Sequence, residues 1–234
     1  MNKCLNAIIY PAINILILKY IFISSLSFLP MSLAMAQDKE IILIGASIGK
    51  SWRFDELPKR INLNQVKTEY IGIFDTFDKS AAVEEILARD NKPDVVIIKE
   101  CSIFFPGDIG NYKKLTKNWI DKLTNNNIKT VIATAPPFSE PDSIIYRTKK
   151  YIKKILGKPD RYKQITDYND WLRVYAKKNN INLLDLEAIL RNSVENRYLN
   201  PKYDIGDHVH LNTEAYKELD KNIETILIEI INEN

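Results

Sequence analysis

The chain has 234 residues, 45% apolar and 27% charged, a balance that suits one folded domain and excludes a disordered or fibrous chain. Its formal charge is only +3. So weak an excess gives no support for nucleic acid as a partner.

Residues 1–36 stand apart from the rest. They hold no acidic residue, two lysines (Lys3 and Lys19), a mostly apolar stretch from Tyr20 to Leu33, and the triplet Ala34-Met35-Ala36 ahead of polar Gln37-Asp38-Lys39-Glu40. This pattern predicts a secretory signal peptide cleaved after Ala36, and so a periplasmic or secreted protein. The competing reading is a retained membrane anchor, the one route by which a membrane would become a partner. Pro11 and Lys19 interrupt the apolar run, so no continuous apolar stretch reaches the ~18–20 residues of a spanning helix. Residues 37–234 are then the folded domain. Loss of Lys3 and Lys19 brings its formal charge to +1, and Cys101 is its single cysteine, so no internal disulfide is expected.

Apolar runs and amphipathic segments alternate along this domain. Ile41–Ile44 is a short apolar strand. Lys67–Ile73 is a second strand candidate, and Lys79–Asp90 places Ala82, Val83, Ile86 and Leu87 at helical spacing. Asp94–Ile98 is β-branched and reads as a third strand. Tyr112–Asn126 carries Leu115, Trp119, Ile120 and Leu123 on one helical stripe. Ile128–Thr134 is a fourth strand, Tyr162–Asn179 a helix, Ile181–Leu184 a fifth strand and Thr213–Ile231 a closing helix. Ser139–Leu156 is rich in Lys and aromatics and reads as a solvated basic helix face or as a lid. Continuous apolar strands between amphipathic helices predict a three-layer α/β/α domain around a five-stranded parallel sheet. Ligands bind such sheets at the carboxyl ends of the strands.

Two places could carry chemistry. The first strand ends in Gly45-Ala46-Ser47. Ser47 therefore falls at the end of the sheet where a site is expected, although a serine there also suits a helix N-cap. The second place is the stretch from Tyr203 to Tyr216, which holds the chain's two histidines, His208 and His210. A serine hydroxyl is a weak nucleophile until a base takes its proton, and that base needs an acid to fix its tautomer. Asp207 and His210, spaced D-x-x-H, supply both from one loop. His208 is adjacent to Asp207 and is expected to face solvent. Asn212 is placed to cap the last helix.

The other chemistries find less support. Asp204, Asp207, His208 and His210 cluster, but no second group of Cys or His completes a zinc site, so no metal is expected. The single GASIGK lacks the glycines of a P-loop or a dinucleotide fingerprint, so no nucleotide cofactor is expected. Cys101 is a rival nucleophile if a histidine lies near it, and a packed small apolar residue otherwise.

GAS at the end of the first strand, with D-x-x-H followed by Leu211-Asn212 before a last helix, resembles the SGNH hydrolases, also called GDSL-type esterases. The resemblance covers nearly all of residues 37–234 in element order. It implies Ser47 as nucleophile, His210 as base and Asp207 as its orienter. It also implies an oxyanion held by the backbone N–H groups of Ser47 and Gly72. Two departures stand out. Ala46 replaces the Asp of the family's G-D-S block. Glu100, Cys101 and Ser102 occupy the region of its G-x-N-D block, whose Asn helps bind the oxyanion. Ser102 offers a hydroxyl in its place. Glu100 and Ser102 are candidate substrate-binding residues, and a Lys99–Glu100 pair is expected to be structural or to orient substrate. The expectation is an exported serine ester hydrolase acting on a small-molecule or glycan ester, such as an acetylated envelope carbohydrate or a lipid. The alternatives are an O-acetyltransferase and a non-catalytic binding protein of the same fold.

Overall fold

The computed structural model describes residues 38–141, 148, 151–152 and 155–232. The signal-peptide reading of residues 1–36 and part of the Ser139–Leu156 stretch fall outside them.

Lys39–Gly45 forms β1, Val66–Gly72 β2, Val95–Lys99 β3, Lys129–Ala133 β4 and Asn182–Leu184 β5. All pair in parallel, in the order β2-β1-β3-β4-β5. The strand order reverses between β1 and β3, and the crevice at their carboxyl ends is the topological switch point where ligands bind in such sheets. The helices are α1 (Ser47–Ser51), α2 (Leu57–Arg60), α3 (Ser80–Leu87), α4 (Ile109–Asn125), α5 (Arg161–Asn179), α6 (Leu186–Leu190) and α7 (Thr213–Asn232). The expected α/β/α sandwich is what forms. The short α1, α2 and α6 are additions, because four or five residues give too little apolar period to read.

Side chains alternate across a strand, so each strand feeds two cores. Ile41, Leu43, Val95, Ile97 and Val131 pack with Trp52 and with Ala215, Leu219, Ile223 and Leu227 of α7. Ile42, Ile44, Val96, Ile98 and Ile132 pack with Val83 of α3, Trp119 of α4 and Tyr168 of α5. Both faces are thus covered, which is why the strands read as unbroken apolar runs. Among the described residues, those buried in the two cores lie between Ile41 and Ile230, and Asp38–Asn234 is a compact unit by itself.

Candidate active site

The β1–α1 turn is held by a half-buried neighbour. Tyr70 Oη donates toward the carbonyls of Gly45 (3.1 Å) and Ala46 (2.8 Å). Burial pushes the Tyr70 phenol up to about 12, so it keeps its proton through ordinary pH. Its ring lies against α1, and a Cβ on Gly49 would sit 2.7 Å from Tyr70 Cε2. Glycine is needed there for the close approach. Ala46, not Ser47, takes the N-cap position, and no side chain caps the helix. The Ser47 hydroxyl is therefore not used in a cap. It is partly buried, and its backbone N–H, in the first turn, has no intrahelical acceptor.

The loop before α7 is built from two carboxylates in series. An antiparallel bridge between Asp204 and Leu211 closes it. Asp204 Oδ1 accepts from the N–H groups of Gly206 (2.7 Å) and His208 (3.2 Å), which stabilises the left-handed backbone of both residues (φ 101° and 69°). Ser139, from the segment after β4, adds a hydroxyl hydrogen bond to Asp204, and its N–H donates to His208 O (3.0 Å). Asp207 Oδ1 then accepts from His210 N (2.7 Å) and Val209 N (3.0 Å), and its Oδ2 meets His210 Nδ1 at 2.5 Å. The His210 backbone and ring and the Val209 N–H draw the Asp207 carboxyl down to about 2. It is a carboxylate wherever an imidazole titrates. The His208 ring is exposed, 3.6 Å from Asp204. Asn212 Oδ1 accepts from Ala215 N (3.1 Å) and caps α7.

The serine and the histidine loop share one end of the sheet. Lys129 Nζ, at the amino end of β4, donates to Ile230 O in the last turn of α7 (3.1 Å). Helix α7 therefore runs against the strands, and its first turn lies at their carboxyl ends, as Ser47 does. Ile48 and Leu211, each next to one of the two residues, belong to the same apolar core. Among the described residues no hydrogen bond joins Ser47 to His210.

The third strand ends differently from the expectation. Glu100 does not pair with Lys99. Its Oε2 accepts from Lys79 Nζ (2.6 Å), and the two side chains are 2% and 1% exposed. Lys79 also donates to Phe77 O (3.0 Å) and lies over the rings of Phe77, Trp119 and Phe104. Burial pushes the Glu100 carboxyl up, and Lys79 opposes it. Lys99 points to the other face, and its Nζ reaches the backbone oxygen of Glu100 (3.0 Å). Burial there lowers the Lys99 ammonium to about 8. The alternation of the strand separates them: consecutive side chains leave opposite faces. Cys101 and Ser102 are buried, at 6% and 5% exposure. Lys79, the start of the Lys79–Asp90 segment in the sequence, carries no signal there for pairing with Glu100, 21 positions away.

Gly72 ends the edge strand opposite Gly45. The next residue, Ile73, donates its N–H to Gly45 O (2.7 Å). Alternate residues of a parallel strand bond to the same neighbour, so the Gly72 N–H is turned toward the free edge of the sheet, away from β1. A Cβ at Gly72 would sit 2.6 Å from the Phe74 ring. The glycine leaves room for that ring.

No protein-family model matches the chain, and no curated protein matches it. Solved structures do. A GDSL-like lipase from Bacteroides thetaiotaomicron aligns over 90% of this chain and 96% of its own, with TM-score 0.61 and 18% identity. A psychrotrophic esterase from a Pseudoalteromonas species aligns over 83% of this chain and 100% of its own (TM-score 0.56, 12% identity). A catalytic mutant of an acetylxylan esterase from Geobacillus stearothermophilus, with alanine in place of a serine, aligns over 83% and 94% (TM-score 0.54, 14% identity). The chain has the α/β/α fold of the GDSL-like lipases and SGNH hydrolases.

Proposed function

We propose that the protein is a serine ester hydrolase of the SGNH fold. The observation that carries this reading is the Asp207–His210 contact at 2.5 Å, on a loop at the same end of the sheet as the uncapped Ser47. In this mechanism Asp207 holds the Nδ1–H of His210, leaving Nε2 free to accept the Ser47 proton. Ser47 Oγ attacks the ester carbonyl and the Ser47 N–H meets the developing oxyanion. His210 returns the proton to the leaving alcohol. Water, deprotonated by His210, then attacks the acyl-enzyme and releases the acid and free Ser47. The Ser47–His210 bond forms as substrate closes the site, since such contacts are often long in free enzymes. Removal of one oxyanion donor slows other serine hydrolases by ~10²–10³. The edge-facing Gly72 amide and the missing Asn therefore predict a slow turnover of simple esters.

Export through residues 1–36 is part of the proposal. It places the substrate, an oxygen ester of a carbohydrate or lipid, outside the cytoplasm. The acetylxylan esterase and the lipase among the structural neighbours support an oxygen ester in either form. The buried Lys79–Glu100 pair where the family has its Asn favours a second reading, a binding domain without turnover.

The test is hydrolysis of p-nitrophenyl acetate and butyrate by residues 37–234, with fluorophosphonate labelling read by mass spectrometry. Activity and label are expected to vanish in Ser47→Ala and to persist in Cys101→Ala. A folded protein with neither turnover nor label would leave the binding domain as the better reading. A label on Cys101 would move the nucleophile.

A further inference from the structure

The amino end of the sheet, away from Ser47, carries a groove of about 450 Å³. It lies where β4 and β5 begin and where α4 and α5 end. Asparagines dominate its lining: Asn127 after α4, Asn179 and Asn180 at the end of α5, and Asn182 at the start of β5. Among the described residues the side chains of Asn127, Asn180 and Asn182 make no hydrogen bond. The Asn179 amide donates to Tyr175 O (2.7 Å), one turn back, which leaves its own oxygen as an acceptor.

Thr130, the second residue of β4, belongs to the same lining. It shares a strand face with Ile132, the face that α4 and α5 cover. Thr130 is 7% exposed, and its Oγ1 is buried with no hydrogen-bond partner among the described residues. A buried hydroxyl left without a partner costs stability, and a polar group seated in the groove would satisfy it.

Charge narrows the choice of ligand. Among the described residues no carboxylate lines the groove, so it is not built for a metal cation. Lys129 is the charged residue of the lining, and its Nζ already donates to Ile230 O (3.1 Å). Two helices end here, and the partial negative charge of helix C-termini disfavours an anion. The volume falls within the roughly 300–1,000 Å³ of ligand sites, but those are mostly apolar. This one presents amides and a hydroxyl. Amides both donate and accept, as sugar hydroxyls do.

We propose that this groove binds a neutral, hydroxyl-rich ligand, a short stretch of glycan, through the amides of Asn127, Asn180 and Asn182 and the hydroxyl of Thr130. The binding does not rest on the hydrolase reading. Only its use does, which is to keep esters of the same polymer within reach of the opposite end of the sheet.

The experiment is a titration of the isotope-labelled full chain with cellotetraose, xylotetraose and chitotetraose, read by amide chemical shifts. At least one of the three is expected to move the Thr130 and Asn182 signals saturably at millimolar concentration, whereas sulfate and calcium leave them in place. Thr130→Val keeps the shape of the side chain. It is expected to hold or raise the thermal midpoint while weakening binding at least about fivefold. Asn182→Ala is expected to weaken binding to a similar extent. Ser47→Ala is expected to bind as wild type does, so a failed hydrolase reading leaves this result standing. Groove signals unmoved by all three glycans would overturn the proposal. So would shifts confined to the Ser47 and His210 loops, or glycan binding unchanged in both groove variants. A response to sulfate or calcium alone would also overturn it and assign the groove to an ion.

Discussion

His210 Nδ1 lies 2.5 Å from Asp207, and Lys79 Nζ lies 2.6 Å from Glu100, both at the carboxyl end of the sheet. One donor is an imidazole and the other an ammonium, and their surroundings differ as well. The histidine pair is 38% and 44% exposed; the lysine pair is 1% and 2% exposed and roofed by Phe77, Phe104 and Trp119. Backbone donors pull Asp207 down, whereas burial pushes Glu100 up. A pair open to water can take and return a proton. A pair sealed among aromatic rings is a fixed part of the core, and its charges are tolerable only together. Near-equal distances therefore fit the proposed chemistry at one place and architecture at the other.

The largest expected effect breaks the exposed pair. Asp207→Asn keeps the shape of the loop but no longer holds the imidazole in the reactive tautomer. A fall in kcat on the order of 10⁴ is expected with p-nitrophenyl acetate, with the thermal midpoint within about 2 °C of wild type. Retained activity would remove Asp207 from the mechanism. The buried pair should answer in the opposite way. Lys79→Met leaves Glu100 without its cation, and urea unfolding should show a loss of ~3–5 kcal/mol. Replacing both, as Lys79→Met/Glu100→Leu, should recover most of that loss, because an apolar pair of similar volume suits the same cage. A double variant no better than the single one would mean the charges are not coupled.

This contrast also marks what could be read from the residues alone. The β-branched run Asp94–Ile98 and the stripes at Trp119 and Leu172 report local period, and the strands and long helices follow from it. Ser47, Asp207 and His210 stand out because the chain has two histidines and one D-x-x-H loop. The partner of Glu100 was not legible. Lys79 is 21 positions away and meets it only after β3 and the start of α3 have packed on one face of the sheet. The direction of the Gly72 amide was hidden for a related reason. It depends on the register of β2 against β1, and a one-residue slip would reverse it. Asp204 and Ser139 were missed as supports of the loop because they are 65 positions apart.

Lys99 sharpens the comparison, since it is as buried as Lys79 but has no carboxylate of its own. Its side chain is 1% exposed, and among the described residues Nζ hydrogen-bonds a backbone oxygen alone. Burial lowers its titration from 10.5 to about 8. A group lowered in the folded state stabilises above its unfolded value and loses that contribution as pH falls through its folded value. Lys99→Met should therefore be more stable than wild type at pH 7, by on the order of 3 kcal/mol. The difference should shrink between pH 8 and pH 10.5. A difference in unfolding free energy independent of pH across this window would mean that Lys99 is not buried as an ammonium.

The smallest effect belongs to Asp207 under acid. Its carboxyl titrates near 2 when folded, held by the N–H groups of His210 and Val209, and near 3.9 when unfolded. Its contribution is fully present above pH ~4 and disappears as pH falls through ~2. The carboxylate faces water, so screening keeps that contribution slight. The gap between the urea midpoints of wild type and Asp207→Asn should be constant from pH 6 to about 4 and narrow below it. Lys79→Met should show no such narrowing relative to Lys79→Met/Asp207→Ala at pH 4 and above, because the two pairs share no partner. If the gap instead narrowed already near pH 5, the carboxylate would not be held by its loop. The fixed tautomer of His210, on which the exposed pair's chemistry depends, would then lose its support.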